Sequence, residues 1–203
     1  MTSLLIKTEL TPMMVDLSSL VPQARMSDEQ FYGFCRANRE LRIERTAEGE
    51  VVVMPPAFSD TGNRNFKIAQ QIGNWADQYG MGEVFDSSSG FTLPNGATRS
   101  PDVAWIQQER WDALSEADKA SFAPICPDFV VELRSASDAL TDLQEKMEEY
   151  IENGARLGSL IDRKNRVVHA YRPRQTVEIW ENPCEVCCEP ELAGFTLQMA
   201  KIW

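Results

Sequence analysis

The sequence predicts an α/β (α+β) fold in which a mixed central β-sheet is flanked by helices. Apolar residues at helical spacing alternate with short apolar runs typical of strands, in the order helix, hairpin, long helix, several strands, helix and further strands. The chain has 203 residues, of which 43% are hydrophobic and 25% charged, as in ordinary globular proteins. We expect residues 27–203 to form a single domain.

Residues 1–26 are expected to form a loose N-terminal leader. Lys7, Glu9 and Asp16 interrupt its short apolar runs before a signal-peptide core or a membrane span could form. We therefore predict a cytoplasmic protein that has no association with a membrane.

The first half of the domain predicts a helix, a hairpin and a long helix. Ser27, followed three residues later by glutamine, has the capping-box pattern at the start of "SDEQFYGFCRAN". "LRIER" and "EVVVMPP" lie on either side of Gly49 and predict a hairpin. From Ser59, apolar residues at helical spacing predict a long helix that ends at Gly80.

The second half predicts most of the sheet. Strands are expected at "GEVFD", "GFTLP", "SPDVAWI", "PDFVVEL", "LGSLID", "RVVHAYRP" and "TVEIW". The polar stretch 111–121 is interpreted as a surface helix. Ser137 or Asp138 is expected to cap a further helix, whose Leu143, Met147 and Tyr150 share one face.

Two of these strands carry acidic residues where apolar ones would be expected. Asp102 begins the run "PDVAWI", and Glu132 lies near the end of "FVVEL". If the two strands pair antiparallel, the two carboxylates converge and repel each other unless a divalent cation lies between them. Hard carboxylate oxygens suit Mg²⁺ or Mn²⁺. Each residue alone has a simpler interpretation: Asp102 as a strand-start residue bonded to the backbone, and Glu132 as the partner of Arg134.

Four segments together resemble a known family. "SPDVAWI", "PDFVVELRSASD", "LQEKMEEYIENGARLGSLIDRKNRVVHAYRP" and "LRIERTAEGEVVVMPP" resemble the Uma-type family of bacterial proteins, over about residues 27–180. The resemblance implies a restriction-endonuclease-like fold of the PD-(D/E)XK superfold. It also implies a nuclease that uses a divalent metal and acts on DNA.

The resemblance also implies roles for individual residues. Asp102 and Glu132 match the metal-binding acids, and Glu44 matches an early acidic motif. The lysine of (D/E)XK falls at Arg134, which is a departure, because arginine stays protonated and could hardly accept a proton from water. A lysine moved to the following helix, as the family is thought to use, corresponds to Lys146. The alternative interpretation is that Lys146 forms an ordinary ion pair in an acidic helix. In that case Gln144 would be the polar group that takes the place of the catalytic lysine.

The net charge of −11 argues against a large basic face that coats nucleic acid. Local contacts to a DNA backbone remain open through Arg36, Arg39, Arg42 and the basic strip "RKNRVVHAYRPR", residues 163–174. The alternative is that this strip is only a solvated surface.

The resulting prediction is a Mg²⁺-dependent endonuclease and homodimer. The alternative is a catalytically weak or inactive nuclease-fold protein that acts as a homodimeric binding or scaffold module.

Other chemistries have weaker support. The cysteines, an odd number, form no disulfide framework; they are Cys35, Cys126, Cys184, Cys187 and Cys188. "CEVCC" invites a zinc interpretation, but a second pair at zinc-site spacing is missing and the single histidine, His169, is distant. We interpret these cysteines as reduced thiols. GxGxxG, P-loop and GxSxG motifs do not occur, and a serine-hydrolase triad would depend on His169 alone.

Overall fold

A computed structural model describes residues 3–7, 12–16 and 26–203, with only the backbone for the first two ranges. There, β1 (Ser3–Lys7) and β2 (Pro12–Asp16) pair as an antiparallel hairpin. The predicted loose leader, residues 1–26, falls largely outside the described residues and stays a prediction. No helix of the described chain is long and apolar enough to cross a membrane.

The described chain from residue 26 onward contains five α-helices, twelve strands and a short 3₁₀ helix. The helices are α1 (Asp28–Ala37), α2 (Ser59–Tyr79), α3 (Gln108–Asp112), α4 (Glu116–Lys119), α5 (Leu140–Glu152) and the 3₁₀ helix Met199–Lys201. The strands are β3 (Arg42–Arg45), β4 (Val51–Met54), β5 (Gly82–Asp86), β6 (Phe91–Thr92), β7 (Thr98–Arg99), β8 (Val103–Gln107), β9 (Phe129–Leu133), β10 (Leu157–Asp162), β11 (Val167–Tyr171), β12 (Glu178–Glu181), β13 (Glu185–Cys187) and β14 (Thr196–Gln198).

The central sheet has six strands in the order β12-β11-β10-β9-β8-β5. Strands β9 and β10 run parallel and are connected through α5, whereas the other neighbours are antiparallel. The prediction of a mixed central sheet flanked by helices is therefore confirmed.

A second sheet has the strand order β4-β3-β7-β6 and contains the predicted hairpin, formed by β3 and β4. Gly49, in the turn, has φ of 89°, a left-handed conformation that glycine adopts without strain. The long helix α2 also forms as predicted, and Gly80 ends it with φ of 61°.

Successive side chains of β9 alternate between two clusters of the hydrophobic core. Phe129, Val131 and Leu133 face a cluster that includes Ile68 and Trp75 of α2. Val130 faces the opposite cluster, which includes Met147 and Tyr150 of α5. Since successive side chains of a strand point to opposite faces, Glu132 lies on the same face as Val130, toward α5.

The predicted cap of α5 was wrong. Neither Ser137 nor Asp138 caps the helix; its N-cap is Ala139, which provides no side-chain hydrogen bond. The Asp138 carboxylate instead accepts a hydrogen bond from the backbone N–H of Ser135 at 2.8 Å. The stretch 111–121, expected to be helical and at the surface, contains the end of α3 and the short helix α4, with a turn between them.

The C-terminal strands β13 and β14 were not predicted. They pair antiparallel and contribute the buried side chains of Val186 and Leu197 to the α2 side of the core. The short 3₁₀ helix adds Met199 to the same cluster. The C-terminal segment therefore packs in the same cluster as the buried face of α2.

Candidate active site

Strand pairing brings Asp102 and Glu132 to opposite positions of the central sheet. Strands β8 and β9 are antiparallel, as expected, with Val103 opposite Val131, so the next position outward sets Asp102 opposite Glu132. The backbone N–H of Leu133 donates to Asp102 Oδ2 at 2.9 Å, which attaches the aspartate to the end of β9. Asn65 Nδ2 of α2 donates to the other oxygen, Asp102 Oδ1, at 2.7 Å.

Both carboxylates border one cleft with a volume of about 190 Å³. Lys146 of α5 also borders it, as do Arg42 of β3 and the segment 54–58 that follows the hairpin. The cleft therefore joins the end of the central sheet, the second sheet and the first turns of α5.

The Lys146 ammonium is turned toward the acids and not toward solvent. Its Nζ lies 2.9 Å from Glu132 Oε1 and 2.9 Å from Glu44 Oε1, and only 13% of the side chain is exposed. Tyr150, one helical turn further along α5, donates its hydroxyl to Glu132 Oε1 at 3.1 Å. Positions 146 and 150 of α5 thus both present polar atoms to Glu132.

Glu44 reaches this cluster from the second sheet. Its Oε1 accepts a hydrogen bond from the backbone N–H of Ser100 at 2.9 Å, and its Oε2 lies 3.3 Å from Arg99 Nη1. Arg99 in turn contacts Glu149 of α5, with 2.6 Å between Nε and Oε2. Glu44 therefore contacts Lys146 directly and connects to Glu132 through it.

Burial and neighbouring charges shift the pKa values of the two opposed acids in the same direction. Burial raises the pKa of Glu132 to about 7, against the attraction of Lys146 and with a further rise from the negative charges of Asp102 and Glu44. Burial also raises the pKa of Asp102, although the Leu133 N–H favours its ionised form. At neutral pH the pair therefore resists carrying two negative charges.

Lys146 and Glu44 are shifted toward their charged forms. Burial alone would lower the pKa of Lys146, but Glu132 and Glu44 outweigh it and raise that pKa above its ordinary value. Burial likewise opposes ionisation of Glu44, but Lys146, the Ser100 N–H and Arg99 hold its pKa below the usual range. The raised pKa favours the ammonium form of Lys146 and makes this residue a poor general base.

Arg134 takes no part in this cluster. Its Nη1 lies 2.7 Å from Asp162 Oδ2 at the end of β10, and its Nε donates to the backbone carbonyl of Asp138. The alternative pairing of Glu132 with Arg134 is therefore wrong. The cation opposite Glu132 comes from α5.

The donor set fits a hard divalent cation held by two carboxylates. Among the described residues, no group of three or more histidine, cysteine or acidic side chains is arranged to hold a metal ion. Asp102 and Glu132 would hold such an ion, with water and substrate oxygens completing the coordination of Mg²⁺ or Mn²⁺. Burial raises the pKa of both carboxyl groups, and Asp102 adds to the rise at Glu132, so a divalent cation between them would favour their ionised forms.

Some site residues were missed by sequence reasoning. Asn65 and Arg99 carry no motif and lie in different elements from the acids they contact. Tyr150 had a detectable signal, since it lies four residues after Lys146 in a predicted helix. Gln144, the substitute for Lys146, does not border the cleft.

The other sequence candidates are placed elsewhere. In the basic strip, Arg163 pairs with Asp60, and Arg172 pairs with Glu178 and Glu191, so part of its charge is already neutralised. All five cysteines are free thiols. His169 lies in the middle of β11, within the strand predicted at "RVVHAYRP".

Comparison with known proteins agrees with this architecture. The family model described as "Uma2: Putative restriction endonuclease" matches residues 28–200. The chain is similar to a crystal structure described as a "putative nuclease belonging to DUF820" from Anabaena variabilis ATCC 29413, with a TM-score of 0.68 and 19% identity, covering 80% of this chain and 90% of that one. No curated protein matches. A match over nearly the whole described domain shows that the chain belongs to the Uma2 family of restriction-endonuclease-like proteins.

Proposed function

We propose that the protein is a Mg²⁺- or Mn²⁺-dependent endonuclease that hydrolyses phosphodiester bonds of DNA. One observation carries the proposal: Asp102 and Glu132 lie opposite each other across a strand pair at the border of a cleft, with the Lys146 ammonium 2.9 Å from Glu132. Paired acids with an adjacent cation are the groups that metal-assisted hydrolysis of a phosphodiester requires. The nuclease-like fold and the family assignment agree with it.

Each residue has a defined task in this proposal. Asp102 and Glu132 would hold the metal ion, which when bound supplies a water of lowered pKa and neutralises charge on the phosphate. Lys146, whose ammonium lies between two carboxylates, would orient the attacking water and stabilise the charge that develops on the phosphate oxygens. Glu44 would hold Lys146 in position from the second sheet.

One of the two roles predicted for Lys146 has better support than the other. Lys146 was expected either to orient or to activate the attacking water. Because its pKa is raised, the orienting role is the one that we retain. The proton of the attacking water would leave to solvent or to a substrate oxygen.

The alternative of a catalytically weak or inactive protein, acting as a homodimeric binding or scaffold module, has one observation in its favour. Lys146 is engaged by two carboxylates at once, and this arrangement also satisfies a purely structural ion cluster. Homodimerisation and a cytoplasmic location stay predictions in both cases.

The test is cleavage of supercoiled plasmid and of single-stranded DNA with Mg²⁺ or Mn²⁺. We expect the wild-type protein to cleave and Asp102→Ala to lose activity by about 10²-fold or more, as for loss of an essential charged group. The exposed acid Asp142, outside the cleft on α5, provides the matched control Asp142→Ala, which should cleave like wild type. Equal cleavage by wild type and Asp102→Ala would identify a contaminant and contradict the proposal.

A further inference from the structure

Arg42 differs from the other shielded arginines of the described chain. Eight arginines there are buried or half-buried: Arg42, Arg45, Arg64, Arg99, Arg110, Arg134, Arg163 and Arg172. Seven of them form an ion pair with a carboxylate. Arg42 is the exception, and its buried Nε has no hydrogen-bond partner in the described structure. A buried N–H donor without a partner is costly unless a ligand arrives to accept its hydrogen bond.

The position of Arg42 shows where such a ligand would bind. Arg42 and Glu44 are two residues apart on β3 and therefore point to the same face, and Arg42 borders the cleft that contains Asp102 and Glu132. Since Lys146 is already held by two acids, Arg42 is the cation of the cleft that is available to a ligand.

An exposed aromatic ring borders the same cleft. Phe58 directly precedes α2 and is 70% exposed, the largest exposed fraction among the large apolar side chains of the described chain. It follows Pro55, Pro56 and Ala57, which also border the cleft. An exposed phenyl ring that borders the same cleft as an arginine without an ion pair offers a stacking surface for a base whose phosphate the arginine binds.

We propose that Arg42 and Phe58 form a subsite for one unstacked nucleotide, with Arg42 binding its phosphate and Phe58 stacking on its base. The preferred substrate class is then single-stranded DNA, since a base inside a duplex has both faces covered. The proposal rests on the proposed function for the identity of the ligand, DNA, but it does not depend on catalysis.

Charge supports a single strand over a duplex. Duplex DNA carries one negative charge per about 1.7 Å of its axis, so a protein that tracks it needs several unpaired cations. This chain has a net charge of −11, and its cleft contains one arginine and one lysine, the lysine being already paired. One available guanidinium matches one phosphate.

The test measures binding without cleavage. Fluorescence anisotropy in EDTA would compare a labelled oligothymidylate with a duplex of the same length, for the wild type, Arg42→Gln and Phe58→Ala. The matched controls are Arg156→Gln, an exposed arginine outside the cleft, and Phe66→Ala, a 58% exposed phenylalanine of α2 that does not border it. Circular dichroism and thermal unfolding would verify that each variant is folded.

We expect the wild type to bind the single strand more tightly than the duplex. Phe58→Ala should weaken single-strand binding roughly fivefold or more, the loss of one base stacked on an aromatic ring. Arg42→Gln should weaken it about tenfold or more, the loss of one charge-assisted hydrogen bond. The controls should bind like wild type.

Salt dependence separates the two roles. Arg42→Gln should reduce the slope of log K against log salt by about 0.7, the value for one phosphate of a single strand, whereas Phe58→Ala should leave the slope unchanged. Binding of the single strand that neither variant weakens, or duplex binding as tight as single-strand binding, would overturn the subsite. A wild type that binds in this way but cleaves no DNA would contradict the nuclease proposal and leave the subsite standing.

Discussion

Glu132 and Arg134 are two residues apart at the end of β9, yet different parts of the molecule hold their side chains. Glu132 meets Lys146 and Tyr150 of α5 at the border of the cleft. Arg134 pairs with Asp162 at the end of the neighbouring strand β10. The cation facing the candidate metal-binding acids therefore comes from the helix, and the arginine in the usual lysine position serves a separate ion pair.

The largest expected effect is that of Lys146→Met, which removes the cation between two buried acids. Leaving Glu132 and Glu44 without their shared partner should lower the free energy of unfolding by about 3–5 kcal/mol. It should also abolish DNA cleavage. Urea denaturation measures the first effect. A loss under about 1 kcal/mol would show that the ammonium contributes little to the cluster.

Stabilisation of the protein by a divalent metal should depend on Asp102 and not on Asp162. If Asp102 and Glu132 hold Mg²⁺, a concentration of 100 times Kd should stabilise the wild type by about 2.7 kcal/mol, which a thermal shift detects. Asp102→Asn should lose this shift, since the amide carries no charge. Asp162→Asn, on the Arg134 side, should retain it. A shift that survives in Asp102→Asn would place the metal elsewhere.

Arg134→Met should have a smaller effect than Lys146→Met. Asp162 would lose its arginine but keep two hydrogen bonds from Asn165, at 3.3 Å from the backbone N–H and 2.8 Å from Nδ2. The free energy of unfolding should fall by about 1–3 kcal/mol, the cost of one lost charged hydrogen bond in a partly buried site. Cleavage should persist within about threefold. Loss of cleavage in a folded Arg134→Met would assign the arginine a catalytic role.

The contributions of Glu132 and Asp162 to stability should also differ in their dependence on pH. The pKa of Glu132 is raised from 4.5 to about 7, so in EDTA its contribution to stability is complete below pH 4.5 and is lost as the pH rises toward 7. Hydrogen bonds from Asn165 and Arg134 outweigh burial and lower the pKa of Asp162, so its contribution is lost as the pH falls through that lowered value.

Urea denaturation between pH 4 and 8 measures this difference. One titrating group changes stability by at most about 1.4 kcal/mol per pH unit. Glu132→Gln should remove the decline between pH 4.5 and 7, the interval set by its shift. Asp162→Asn should leave that decline in place. An unchanged profile in Glu132→Gln would show that Glu132 does not carry the raised pKa.

The sequence predicted the strands of the central sheet because strands follow short-range patterns, and it gave the convergence of the two acids only on the condition that their strands pair antiparallel. Alternation and strand length located β8 and β9, and antiparallel pairing then set Asp102 opposite Glu132. Lys146 was identified through the family resemblance. Its helix is acidic, and only packing of α5 on the sheet turns this residue inward.

Other features depended on contacts between distant residues. Arg134 finds Asp162 only because β9 and β10 pair in parallel, 28 positions apart in the chain. The strands β13 and β14 have three residues each, too few for a clear alternation. Asp138 could have capped α5 by sequence, but Ser135 competes for its carboxylate.

The central claim is that Asp102 and Glu132 hold a divalent metal ion at the cleft. The most direct measurement is anomalous diffraction from crystals soaked in Mn²⁺. We expect an anomalous peak within about 2.5 Å of carboxylate oxygens of both residues, the upper range for a hard divalent cation, and its absence in Asp102→Asn crystals. A Mn²⁺ peak away from these two side chains, or none at millimolar Mn²⁺ in wild-type crystals, would contradict the claim.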